Sequence, residues 1–263
     1  MPNALRRRDY LYRHPEARAA DLMDAFRDPE VRGVFNAIGG EDTIRLLPYI
    51  DFDVLVRDPK IFTGFSDTTS NHLMLYKAGV MSYYGASVMT NFSEYVKIND
   101  YTAAMIRDTL FCPKPTLDIP SAPYWYDDED EKIWWDEKNM NTLKLYHPEE
   151  LGYEVVQGGS TVEGELLGGC LDVFIQVMGT SIWPTKEQWR GKIMFLETSE
   201  EDMPATYLTW ILRNLAAQGL FDVIKGILVG KPAGAANMSP IRRSTALWWG
   251  RRADTRSCPS CAT

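Results

Sequence analysis

With 263 residues, 45% of them hydrophobic, the chain is long enough for two modest domains around a buried core. Its formal net charge of −8 provides no basic stripe, which argues against a nucleic-acid-binding surface and against anionic membranes. No apolar run approaches the roughly 20 residues of a membrane span, and Met1 to Arg8 has no hydrophobic signal core. The four scattered cysteines, Cys112, Cys170, Cys258 and Cys261, point to a reducing, cytoplasmic setting rather than a disulfide framework.

Pro15 suits a first helical turn, and Ala19, Leu22, Met23 and Phe26 follow at i, i+3, i+4 and i+7, so the first clear element is an amphipathic helix packing on a sheet. Val34 to Ile38 reads as a short buried strand meeting Gly39-Gly40, and a brief helix through Leu46 and Leu47 closes at Pro48. The run Lys60-Ile61-Phe62-Thr63-Gly64-Phe65-Ser66-Asp67-Thr68-Thr69 then reads as strand, sharp turn and helix. A serine at such a turn has its hydroxyl pushed out of the sheet edge beside the first amides of the next helix, the geometry that nucleophilic hydrolases need. The usual elbow is G-x-S-x-G and Thr68 occupies its last position, so spacing alone favours an ordinary Ser-Asp helix cap. A helix from about Thr68 to Lys77 and a strand over Met81 to Tyr84 follow. This alternation predicts a parallel sheet covered on both faces, with Gly39-Gly40 and Ser66 at carboxyl ends of strands, where such sheets bind ligands.

Asp100 reads as a helix cap, with the helix running through Met105 and Leu110 to Cys112. The composition then changes. Pro113, Pro115, Pro120 and Pro123 break regular structure, and Tyr124-Trp125-Tyr126, Asp127 to Glu131 and Trp134-Trp135 make an aromatic and acidic stretch. It is either a solvated loop with tucked tryptophans or a wall whose ring faces stack on a ligand. A connection over about 139–162 leads to a strand from Glu163 into Gly168-Gly169, then a short helix from Cys170 to Met178. The two glycines either let backbone amides approach a substrate or allow tight packing at the junction. Lys192 to Leu196 is an apolar strand delivering Glu197; Pro204, Leu208, Ile211, Leu212 and Leu215 mark a helix closed by Gly219; Val223 to Val229 is a last strand.

The segments Val34-Phe35-Asn36-Ala37-Ile38-Gly39-Gly40-Glu41-Asp42, Leu46-Leu47-Pro48-Tyr49-Ile50-Asp51 and Gly64-Phe65-Ser66-Asp67-Thr68-Thr69 resemble the LD-carboxypeptidase and microcin C self-immunity family of serine peptidases. So do Gly168-Gly169-Cys170-Leu171, Phe195-Leu196-Glu197 and Gly226-Ile227-Leu228-Val229-Gly230-Lys231, in the family's order, over about residues 10 to 232. The resemblance implies an α/β chain with a partial parallel-sheet N-terminal domain over 1–115 and a loop and connection over 116–162. A smaller α/β C-terminal domain over 163–231 and an aberrant tail over 232–263 complete it. The family's first strand and helices have no counterpart before Met1, which predicts an open sheet edge and impaired folding or a swapped strand.

By the same resemblance Ser66 matches the nucleophile and Glu197 the acidic triad member, with the Asp67 and Gly39-Gly40 amides as oxyanion donors. Gly168, Gly169, Trp134 and Trp135 would line the substrate site. The implied activity is hydrolysis of an amide, in muropeptide recycling or in detoxifying a peptide-nucleotide of the microcin C type, and the aromatic stretch favours the second. No metal or organic cofactor is called for, and family members are commonly homodimers. The family's histidine base has no counterpart after His147. His14, His72 and His147 read as surface histidines, with His72 turned away from Ser66 on its helix. The arginine-rich tail suggests translation in a wrong frame or a spliced-on end, and its lone Cys258-Pro259-Ser260-Cys261 pair reads as chance rather than a zinc site. The chain should therefore be nearly inactive, and the alternatives are a non-catalytic binder using Trp134, Trp135 and the glycine turns, or a gene fragment.

Overall fold

A computed structural model describes residues 1–94, 96–126, 137, 141–199 and 203–231. The chain divides into two compact units, Met1–Glu150 with Val173–Pro184, and Leu151–Asp172 with Thr185–Thr263. Trp134, Trp135, the acids from Asp127 to Glu131 and the tail over 232–263 lie outside the described residues.

In the first unit, helices α1 (Arg8–Arg13) and α2 (Pro15–Arg27) precede strand β1 (Gly33–Phe35). A 3-10 segment over Thr43–Tyr49 and helix α3 (Phe52–Arg57) lead to β2 (Ile61–Gly64), helix α4 (Thr69–Ala78) and β3 (Tyr83–Tyr84). The sheet is parallel in the order β1-β2-β3, with Val34 opposite Phe62 and Gly64 opposite Tyr84. Its core is Met23, Phe26, Val54, Leu55, Phe62, Leu75 and Val80, so the stripe of α2 packs as its spacing requires. Helix α3 was not legible in the periodicity; Asp51 caps it, accepting from the amides of Asp53 and Val54, while Val54 and Leu55 enter the core. Strand β3 is shorter than the run from Met81 suggests, because Met81 is 72% exposed and pairing begins only at Tyr83.

Helix α5 (Asp100–Ile106) starts one residue away from the expected cap: Asn99 accepts from Thr102 N at 2.8 Å, and Asp100 is already helical. A wider turn over Arg107–Phe111 continues it. Strands β4 (Tyr124–Trp125) and β5 (His147–Pro148) form a small antiparallel pair where only loop was expected. Aromatic packing accounts for it: Trp125 stacks on His147 at 4.6 Å and Tyr124 meets Tyr146 at 4.8 Å.

The second unit holds strand β6 (Leu166–Cys170), the start of helix α6 (Leu171–Val177), helix α7 (Lys186–Trp189), β7 (Ile193–Glu197), α8 (Ala205–Ala217) and β8 (Gly226–Val229). Its sheet is also parallel, β6-β7-β8. On α8, Leu208, Ile211, Leu212 and Leu215 are buried, the expected apolar face, and Gly219 follows with φ 72°. Both three-stranded sheets are parallel and joined through helices, so the α/β class holds. No helix among the described residues is long and apolar enough to cross a membrane.

Candidate active site

Strand β2 ends at Gly64, and the chain turns through Phe65, Ser66, Asp67 and Thr68 into α4. Ser66 has φ 60°, the only positive value among the described non-glycine residues. An L-residue pays about 1–2 kcal/mol to sit there, so surrounding contacts must impose the conformation. Two hydrogen bonds do so: Ser66 N donates to Tyr84 Oη at 2.9 Å, and Tyr84 Oη also meets Thr69 Oγ1 at 3.2 Å. The carboxyl end of β3 thus holds the serine in its strained turn. Ser66 is half-exposed and its hydroxyl makes no hydrogen bond to the described residues.

Close approach shapes the rest of the turn. A Cβ on Gly64 would come within 2.9 Å of Asn36 Cβ and 2.8 Å of Thr68 Cγ2, so β1 and the helix start leave room only for glycine. At Gly39 a Cβ would stand 2.9 Å from both Cβ and Oγ of Ser66, and at Gly40 it would stand 3.1 Å from Asp67 Oδ2. The Gly39-Gly40 turn therefore lies directly against the serine hydroxyl. Four expected site residues, Gly39, Gly40, Ser66 and Asp67, come together at the carboxyl ends of β1 and β2.

Asp67 is 1% exposed, and its Oδ2 accepts from Asp42 N at 3.1 Å and Thr43 N at 3.0 Å. Arg18 and Arg45 pair with Asp42 at 2.5 Å and 3.0 Å and steady the same loop. His72 is a correction. It is 7% exposed rather than on the surface, with Nε2 at 2.9 Å from Gly64 O and Nδ1 at 2.7 Å from Ser82 Oγ. A carbonyl only accepts, so Nε2 carries the proton and Nδ1 accepts from the serine. Burial drives its pKa from 6.5 to about 4, against a smaller upward pull from the Gly64 carbonyl, so the ring stays neutral. Helical spacing turned it away from Ser66 but gave no sign that it would be buried. His14 instead pairs with Glu16 at 2.8 Å, and His147 is stacked on Trp125.

In the second unit, register places Gly168 opposite Phe195, Gly169 opposite Leu196 and Cys170 opposite Glu197. A side chain on Gly168 would strike the Phe195 backbone, so tight strand packing explains that glycine. Gly169 has φ 150°, a conformation suited to glycine, and leads into α6. Glu197 is half-buried at the end of β7, with Gly230 beside it: a Cβ there would lie 3.2 Å from Glu197 Cβ. Asp172 Oδ2 accepts from Ser199 N at 3.0 Å and receives the Cys170 thiol at 3.4 Å, which fastens the segment after Glu197. Among the described residues no cluster of three or more His, Cys, Asp or Glu could hold a metal.

Comparison with known proteins decides the family. The model of the LD-carboxypeptidase N-terminal domain matches residues 1–85, and that of the LD-carboxypeptidase C-terminal domain matches residues 163–254. The chain belongs to the LD-carboxypeptidase family. The crystal structure of an MccF-like protein from Streptococcus pneumoniae, in complex with AMP, is 34% identical with a TM-score of 0.84, and the match covers 94% of this chain and 75% of that one. An MccF-like protein from Bacillus anthracis is 28% identical with a TM-score of 0.76, over 89% of this chain and 68% of that one. The microcin C7 self-immunity protein MccF of Escherichia coli is 28% identical over 81% of this chain and 60% of its own length. The chain spans about three fifths of the length of several such curated relatives. Within the LD-carboxypeptidase frame, sequence reasoning missed Tyr84, the carboxylate of Asp67 and His72. The rule that parallel sheets bind ligands at strand carboxyl ends could have pointed to Tyr84, since it ends the neighbouring strand.

Proposed function

We propose that this chain carries the serine-hydrolase site of an amide-cleaving LD-carboxypeptidase, with Ser66 as nucleophile. The observation that carries the reading is the strained turn: φ 60° at Ser66 between β2 and α4, with the Gly39-Gly40 turn packed on its hydroxyl. Ser66 Oγ would attack the amide carbon while a base takes its proton; the amine leaves with a proton, and water then hydrolyses the acyl-serine. The Asp67 amide and those of Gly39-Gly40 would face the oxyanion, and Glu197 would orient the base. The substrate is a small peptide conjugate, and we favour an aminoacyl- or peptidyl-nucleotide over a muropeptide. Support comes from the AMP-bound relative at 34% identity and from the sequence similarity to the self-immunity protein. Gly168, Gly169, Trp134 and Trp135 stay assigned to substrate binding, and the protein acts without a cofactor, as a cytoplasmic homodimer.

The chain by itself should turn over slowly. His72, the histidine nearest Ser66 in sequence, is committed to Gly64 and Ser82, and loss of a triad base costs many orders of magnitude in rate. The test is turnover of an aminoacyl-nucleotide and of a muropeptide by the purified chain and by Ser66→Ala, with AMP binding measured alongside. Slow, Ser66-dependent release from the nucleotide conjugate is expected. Rapid turnover by the chain alone would overturn the impairment, and AMP binding with no Ser66-dependent turnover would identify a non-catalytic binder.

A further inference from the structure

A carboxylate with almost no access to water is a costly thing to bury unless its oxygens are used. Asp67 is 1% exposed. Its Oδ2 accepts two backbone amides, Asp42 N at 3.1 Å and Thr43 N at 3.0 Å, while Oδ1 is buried without a hydrogen-bond partner. Both amides belong to the loop that begins with Gly39-Gly40, 24 to 25 residues earlier in the chain. The other end of that loop lies on the site: a Cβ at Gly40 would fall 3.1 Å from Asp67 Oδ2, and one at Gly39 would fall 2.9 Å from Ser66 Oγ. Asp67 also follows Ser66 directly, so the residue that continues the strained turn is tied to the loop facing the hydroxyl.

We propose that the side chain of Asp67 is a positioning group: its carboxylate latches the 39–43 loop to the Ser66 turn and so sets the distance between the Gly39-Gly40 backbone and the serine hydroxyl. The proposal rests on Ser66 being the nucleophile only for its catalytic consequence; the latch itself is a statement about loop geometry. A cap of its own helix would not look like this. Asp67 accepts from Asp42 at the end of a distant loop and from Thr43 at the start of the following 3-10 segment, not from the first turn of α4 that it precedes. An aspartate kept only to supply its backbone amide would have no reason to bury its side chain.

The test separates the latch from the active-site reading. Amide hydrogen exchange over residues 39–43 is measured in the full chain, in Asp67→Ala and in Asp67→Asn; labelling of Ser66 by a fluorophosphonate is measured in the same three proteins. Loss of a charge-assisted bond predicts exchange roughly tenfold faster or more at Asp42 and Thr43 in Asp67→Ala, with α4 amides unchanged. Asp67→Asn keeps one acceptor oxygen and should restore most of the protection, which also covers the case in which the alanine variant fails to fold. In labelling, the maximal inactivation rate should fall about tenfold or more in Asp67→Ala while the apparent reagent affinity stays the same, a split that simple destabilisation would not produce. Unchanged exchange at Asp42 and Thr43 overturns the latch. Faster exchange with an unchanged inactivation rate overturns the positioning role. No labelling of Ser66 in the unaltered chain follows from the missing triad base and leaves the nucleophile reading to the turnover test, while the exchange result still decides the latch.

Discussion

Ser66 and His72 stand six residues apart on one turn-and-helix segment, yet opposite forces act on them. Ser66 is held in an unfavourable backbone conformation with a free hydroxyl; His72 has a comfortable backbone and both ring nitrogens engaged. The histidine makes a sharp prediction about pH. Above its ordinary value of 6.5 the ring is neutral in folded and unfolded chains alike. Between about 6.5 and about 4 the unfolded chain takes up a proton that the buried ring refuses, so stability falls as the pH drops through that window and levels off below it. The loss amounts to about 3 kcal/mol. Urea melts from pH 7 to pH 4 would show it, and in His72→Gln this part of the pH dependence should vanish although the variant is less stable at pH 7. A variant with the same slope as the parent would show that other groups carry the effect.

At the scale of elements, the apolar stripes were readable because a helix on a sheet repeats its buried positions every three or four residues. The stripe of α8 was read residue for residue, and Leu215 is fully buried on it. Leu215→Ala should therefore destabilise the protein by about 2–5 kcal/mol, whereas Tyr207→Ala on the exposed side of α8 should change stability by only about 0.5 kcal/mol or less. Equal effects in chemical denaturation would mean that α8 does not pack as described. Elements that depend on partners rather than on periodicity were harder. Helix α3 is six residues long, set by the Asp51 cap and two core side chains, and the β4-β5 pair owes its existence to ring contacts between segments over twenty residues apart. Such contacts leave no local pattern.

At the scale of the whole molecule, two parallel-sheet units carry the two halves of the family's pattern, Ser66 in the first and Glu197 in the second. If the chain takes the nucleotide part of a substrate, AMP must stabilise it by mass action. At a concentration about 100 times its dissociation constant, AMP should raise the unfolding free energy by roughly 2.7 kcal/mol, visible as a concentration-dependent rise in melting temperature. A melting temperature indifferent to AMP, beside a rise with a muropeptide, would move the substrate preference to the muropeptide.

The sequence by itself determined the α/β class, the strands of the two parallel sheets with the long helices α2, α4 and α8, and the turn that presents Ser66, because hydrophobic period and turn chemistry act over neighbouring residues. Resemblance to the family's motifs added Gly39, Gly40, Ser66 and Asp67 as one candidate site. Only the tertiary structure decided what the neighbouring chain segments do to those residues. It gave Ser66 its strained backbone under Tyr84, buried His72 between Gly64 and Ser82, and closed the Asp67 carboxylate on Asp42 and Thr43. It also set the Gly168 backbone so close to that of Phe195 that no side chain fits between them. Each of these depends on hydrogen bonds or steric limits between residues distant in the chain, and burial, which sets their strength, exists only once the chain has folded.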